Sequence, residues 1–142
     1  MNIKDTMKEL ETNKKISVPN FLIDGLSYAT LMGSISYGAS QDNSDLDVYG
    51  ITIPPIEILF PFLAGEIPGF GQQIQRFKSY TQSHIDDGDV EYDFNIYNIV
   101  SYFQLAMENN PNVLDSLFVY DEHVLYQDEG TKLMRENKEL FL

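Results

Sequence analysis

The chain of 142 residues has no cysteine, which excludes a disulfide scaffold, a cysteine-ligated zinc site and a cysteine nucleophile. It is also poor in bases. Nine Lys and Arg face 22 Asp and Glu, for a formal charge of −13. A surface this acidic excludes bulk coating of double-stranded DNA, because that affinity comes from neutralising phosphates with Lys and Arg. No base occurs between residues 16 and 75, or between 79 and 131. There is no long hydrophobic run: Ile51 to Ala64 is broken by Pro54, Pro55, Glu57 and Pro61, too short to span a bilayer. The polar start, Met1 to Lys15, is not a secretion signal. No Gly-Lys-Ser or Gly-Lys-Thr occurs, so a Walker loop is absent. An EF-hand starting at Asp45 fails, with Ile56 where its closing Glu belongs. What remains is 43% hydrophobic residues, enough for a folded core. The expectation is a soluble, cytoplasmic, single domain spanning 1–142.

Strand and helix patterns are interleaved, which predicts an α+β fold: a small mixed or antiparallel sheet with helices packed on one side. Residues 2–12 suit a short amphipathic helix, and Phe21 to Tyr28 a helix or its last turns. Strands are expected at Ala29 to Met32, Leu46 to Ile53, Gln72 to Ser83 and Val90 to Phe94, with a turn at Asp86-Asp87-Gly88-Asp89. Asn95 is placed to cap a helix running on from Ile96, and Asn110-Pro111 to start another with Val113, Leu114, Leu117 and Phe118 inward. Val124 to Tyr126 is extended, and Gly130 to Phe141 is helical with Leu133, Met134, Leu140 and Phe141 as its apolar positions.

The chemistry concentrates in Gly33-Ser34-Ile35-Ser36-Tyr37-Gly38 and Ser44-Asp45-Leu46-Asp47-Val48-Tyr49-Gly50. Asp45 and Asp47 are two apart on an expected strand, so both carboxylates leave one face while Leu46 and Val48 enter the core. Carboxylates this close repel unless a cation sits between them, which suits magnesium. Gly33 removes a side chain at a strand end, and Ser34 offers a hydroxyl and an N–H to phosphate oxygens. Arg76 and Lys78 alternate on one strand and could reach phosphates; Tyr37 could stack on a base. His84 and His123, without cysteines, are assigned surface positions. Arg135 either turns back to the site or pairs with Glu139.

This combination resembles the DNA-polymerase-beta-type nucleotidyltransferase superfamily: an apolar strand, Gly-Ser, a spacer, then Asp-x-Asp on the next strand. The likeness is closest to nucleotidyltransferases of bacteria and large phages that include the RNA-repair-associated group. It continues through Pro54-Pro55, Glu91-Tyr92-Asp93-Phe94, Ile99 to Asn110, Asn110 to Phe118, and Arg135 to Leu142, covering about Tyr28 to Leu142. It implies a third carboxylate at Asp93, with Glu91 as fallback, and two Mg2+ ions (Mn2+ as substitute) held by Asp45, Asp47 and Asp93. It implies NTP, including ATP, with its triphosphate held by Gly33 and Ser34; Tyr37, Arg76 and Lys78 join the nucleotide-binding candidates from their own chemistry. The implied reaction transfers NMP to an acceptor hydroxyl of RNA, protein or a small molecule, releasing pyrophosphate. Ile35 stands where relatives often carry Arg, and larger relatives continue past this point into a helical extension. The alternative is a non-catalytic nucleotide- or partner-binding module, antitoxin-like or half of a split enzyme.

Overall fold

A computed structural model describes residues 2–33, 45–73 and 76–142. Five strands form one mixed sheet: β1 (Leu26–Met32), β2 (Asp45–Thr52), β3 (Ser79–Asp86), β4 (Glu91–Asn98) and β5 (Val124–Gln127). Their order is β3-β4-β2-β1-β5. β2 and β4 run parallel, while β1–β2, β1–β5 and β3–β4 are antiparallel. The α-helices among the described residues are α1 (Ile3–Thr12), α2 (Ile56–Leu59), α3 (Ile99–Met107), α4 (Pro111–Leu117) and α5 (Glu129–Glu136). The α+β class and the mixed sheet are as expected.

The helices do not share one side of the sheet. α1 sets Ile3, Met7 and Leu10 against Val48, Phe94 and Ile96 on one face. On the other, Tyr102 and Ala106 of α3 and Val113 and Leu117 of α4 close over Tyr28 and Ile51. The physical reason is that the central strands carry apolar side chains on both faces. A sheet of that kind is stable only with a layer on each side.

Local chemistry sets the element ends. The Asn2 carboxamide accepts from the Asp5 N–H at the start of α1, and Asp128 accepts from the Thr131 N–H at the start of α5. Asn110 accepts from the N–H groups of Asn112 and Val113, with Pro111 as first helical residue, as expected. The cap of α3 is Asn98, which accepts from the Val100 N–H, and not Asn95. β4 continues through 95–98 because these residues pair with both β2 and β3, and Ile96 is buried beneath α1. Phe21 to Gly25 is a turn leading directly into β1, which is longer than the expected strand. β3 starts at Ser79, later than the pattern suggested.

Several expected apolar positions are exposed, among them Phe118, Leu133 and Leu140, and so is Val100, expected in the core. α5 turns Thr131 and Arg135 inward instead, and Arg135 donates to the Val119 carbonyl and the Gln127 carboxamide. It also pairs with Asp121, so it serves the β5 side of the fold, and its partner is not Glu139. In β2, a Cβ at Gly50 would meet the Tyr28 carbonyl at 2.5 Å. The missing side chain therefore lets β1 and β2 approach each other.

Candidate active site

Parallel pairing of β2 with β4 sets four rungs side by side on one face: Asp45 with Glu91, Asp47 with Asp93, Tyr49 with Asn95, and Ile51 with Tyr97. Neighbouring strands lie roughly 4.8 Å apart, so the first two rungs are carboxylate against carboxylate. The alternate residues Val48, Tyr92 and Phe94 enter the core beneath α1. The acidic rungs begin both strands, and the apolar end of the same face lies under α3 and α4. On the far side of Asp47, the β1 partner is Met32.

Asp47 is half-buried and Asp45 is exposed. Burial pushes the Asp47 carboxyl above the ordinary carboxylate range, and the negative charge of Asp93 pushes it further. Oδ1 of Asp47 is buried and meets no hydrogen-bond partner among the described residues. Behind this pair, Tyr49 is raised to about 12, first by burial, then by Tyr97 and by the Asp47 charge. The Asp47–Asp93 pair is thus backed by two phenols, Tyr49 and Tyr97, whose ionisation burial opposes.

Asp93 is held from the β3 side. Its Oδ1 accepts the main-chain N–H of His84 at 2.8 Å. The His84 imidazole lies on Glu91, Nδ1 to Oε1 3.4 Å. The side chain is exposed, as the surface assignment expects, but its contact with Glu91 is not legible from residue type and spacing alone. A signal existed for the strand irregularity: along β3 the inward residues pass from Tyr80 and Gln82 to Ile85, a slip from even to odd that marks a bulge.

The other sequence candidates are dispersed. Gly33 directly follows β1 with φ 78, a left-handed turn that glycine adopts without strain. Ser34 and Tyr37 lie outside the described residues. Arg76 pairs with Glu66 at 3.3 Å. Lys78 precedes Ser79, which faces Tyr97, four residues along β4 from Asp93. At about 3.3 Å per residue that is about 13 Å from the carboxylates. His123 is largely covered rather than on the surface, and its carbonyl accepts from Thr30.

Asp45, Asp47 and Asp93 thus share one face; spacing suggested this for Asp45 and Asp47, and the resemblance added Asp93. Among the described residues, however, no three Asp, Glu or His side chains are gathered closely enough to hold a metal ion. The unit that is assembled is the Asp47–Asp93 pair. Its orphaned buried oxygen and raised carboxyl are what a hard divalent cation would satisfy, so the residues present fit such an ion.

The α+β fold, a mixed five-stranded sheet with its helices, is consistent with a polymerase-beta-like nucleotidyltransferase domain. The chain belongs to RlaP, the RNA repair pathway DNA polymerase beta family, which matches residues 1–142. No curated protein matches it. No helix among the described residues is long and apolar enough to cross a membrane.

Proposed function

We propose that the protein is a magnesium-dependent nucleotidyltransferase that moves NMP from an NTP to an acceptor hydroxyl and releases pyrophosphate. The observation that carries this is the Asp47–Asp93 rung, two carboxylates side by side with one buried oxygen unpartnered among the described residues. Asp47 and Asp93 would hold the divalent cations, with Asp45 on the adjoining rung as the further carboxylate that the family resemblance implies. Those cations, when bound, lower the pKa of the attacking hydroxyl and offset the charge of the leaving pyrophosphate.

The chain's own residues have separable tasks. Asp93 would take the proton of the acceptor hydroxyl as its oxygen bonds to the α-phosphorus, the role the resemblance implies for it. The bond from the α-phosphorus to the bridging oxygen breaks, and the pyrophosphate carries that electron pair away. Gly33 and Ser34 hold the triphosphate, the role their motif implies. Arg76 has its partner in Glu66 and is left out of this set.

The acceptor is RNA, in line with the description of the family. With a charge of −13, the protein itself holds little of a long strand, so the contact is with an end or a short segment. The same acidity makes nucleotide binding depend on divalent cations.

The test is incubation with each labelled NTP, Mg2+ or Mn2+, and a mixture of RNA and protein acceptors. Label transfer that is lost in Asp45→Ala/Asp47→Ala is expected. No transfer to any acceptor, together with NTP binding unchanged by the double substitution, would overturn the proposal. In that case a nucleotide-binding module without catalysis is what remains.

A further inference from the structure

β3 and β4 are out of step by one residue between Gln82 and Ile85. Gln82 faces Phe94 and Ile85 faces Tyr92, so Ser83 and His84 together stand opposite Asp93. A bulge of this kind leaves one residue out of the ladder and redirects its groups. Here that residue is His84, at φ 58 in the left-handed region that non-glycine residues seldom occupy. Its N–H, turned out of the ladder, is the one that reaches Oδ1 of Asp93 at 2.8 Å.

The direction of that bond matters. β3 and β2 lie on opposite sides of β4. The His84 N–H engages Asp93 from the β3 side, whereas Asp47 stands on the β2 side. One Asp93 oxygen is thereby tied back on the β3 side, which restricts rotation of the carboxylate. The imidazole simultaneously draws Glu91 toward β3, away from its rung partner Asp45. The two carboxylates of β4 are therefore sorted by one residue.

We propose that His84 is the positioning residue of this site. Its left-handed main chain in the β3 bulge fixes the Asp93 carboxylate in one orientation on the rung it shares with Asp47, and its side chain holds Glu91 toward β3. This inference rests on the carboxylate pair being the cation site. The active element is the main-chain N–H, so the requirement at position 84 is for a residue that tolerates positive φ. Glycine meets that requirement, while a β-branched residue opposes it.

The experiment compares wild type, His84→Gly and His84→Val, each verified as folded by circular dichroism. Mn2+ alone is the probe, its free concentration read by electron paramagnetic resonance. Exchange of the residue-84 amide proton is followed by NMR without metal. His84→Gly is expected to bind Mn2+ within about twofold of wild type. His84→Val is expected to weaken binding by about tenfold or more, the usual effect of losing a group that orients a ligand. In Asp93→Asn the same valine substitution adds little further loss, because the group it orients is already changed. The residue-84 amide is protected in wild type and exchanges rapidly in Asp93→Ala.

Wild-type affinity in His84→Val overturns the positioning role. Equal losses in His84→Gly and His84→Val overturn it too, by assigning the effect to the imidazole. Failure of wild type to bind Mn2+ overturns the cation site itself, a different result from either. A residue-84 amide that stays unprotected in wild type removes the bond on which the inference depends.

Discussion

Asp47 and Asp93 face each other across the parallel pair β2 and β4, with Oδ1 of Asp47 buried and unpartnered among the described residues. That relationship has a cost in the free protein, since burial and the neighbouring charge both oppose ionisation of Asp47. The cost makes the site measurable through folding stability.

The first prediction concerns pH. The folded-state pKa of Asp47 lies above its ordinary 3.8, so the folded protein binds this proton more tightly than the unfolded chain. The resulting stabilisation is fully present below 3.8 and is lost as pH rises through the raised folded value. In EDTA, wild type should therefore gain stability relative to Asp47→Asn as pH is lowered from 7. At pH 7, Mg2+ should raise the Tm of wild type and leave Asp47→Asn nearly unchanged. Thermal unfolding of both proteins across pH, with and without Mg2+, checks this.

The second prediction ranks the carboxylates of β4. Asp93 shares its rung with Asp47, while Glu91 is occupied by the His84 imidazole. Asp93→Asn should lower nucleotidyl transfer by about 100-fold or more, since carboxylate-held cations contribute several kcal/mol to such steps. Glu91→Gln should change it by less than about fivefold. Transfer rates for the two variants decide the matter, and the reverse order would make Glu91 the third carboxylate.

A third concerns the close approach of β1 to β2. A methyl group at position 50 would lie 2.5 Å from the Tyr28 carbonyl and 3.0 Å from Cδ1 of Ile96. Gly50→Ala should destabilise the fold by about 2 kcal/mol, the usual scale of overpacking. It should also disturb the register that carries Asp47. Urea unfolding gives the stability, and Mn2+ affinity reports on the register.

A fourth concerns the core beneath the site. Buried Tyr28 donates its hydroxyl to the Ser116 carbonyl, and Tyr102 shares a hydrogen bond with the Ser116 hydroxyl. Tyr28→Phe should cost about 1–2 kcal/mol through the lost buried hydrogen bond. Burial raises the Tyr28 phenol from 10.0 to about 12, so its contribution is complete below pH 10.0 and disappears on approach to 12. The phenylalanine variant should lack this part of the alkaline stability loss, as measured by unfolding between pH 9 and 12.

Much of the site was legible because strands impose a period of two. Asp45 and Asp47 had to leave one face of β2, and Glu91 and Asp93 one face of β4, whatever the strands paired with. Caps were legible where the chemistry is local, as at Asn110-Pro111. The same local reasoning misplaced the start of α3. Asn95 and Asn98 are equally good caps, and only pairing on both edges carries β4 on to the second. Arg135 was legible as a helix residue but not as a buried one. Its burial depends on the Val119 carbonyl and Gln127, groups brought to it by the chain's return.

The amino-acid sequence by itself determined the α+β class, the alternation that exposes the carboxylates and the shortage of bases. These follow from backbone periodicity and from counting charges, both of which act locally or over the whole chain. Tertiary structure decided which carboxylates meet. Residues 47 and 93 come together only through the register of a parallel pair, and His84 reaches Asp93 only because β3 slips by one residue. Register is a relation between segments distant in the chain. It is selected by how well both faces of the sheet bury their side chains, and no single segment carries that information.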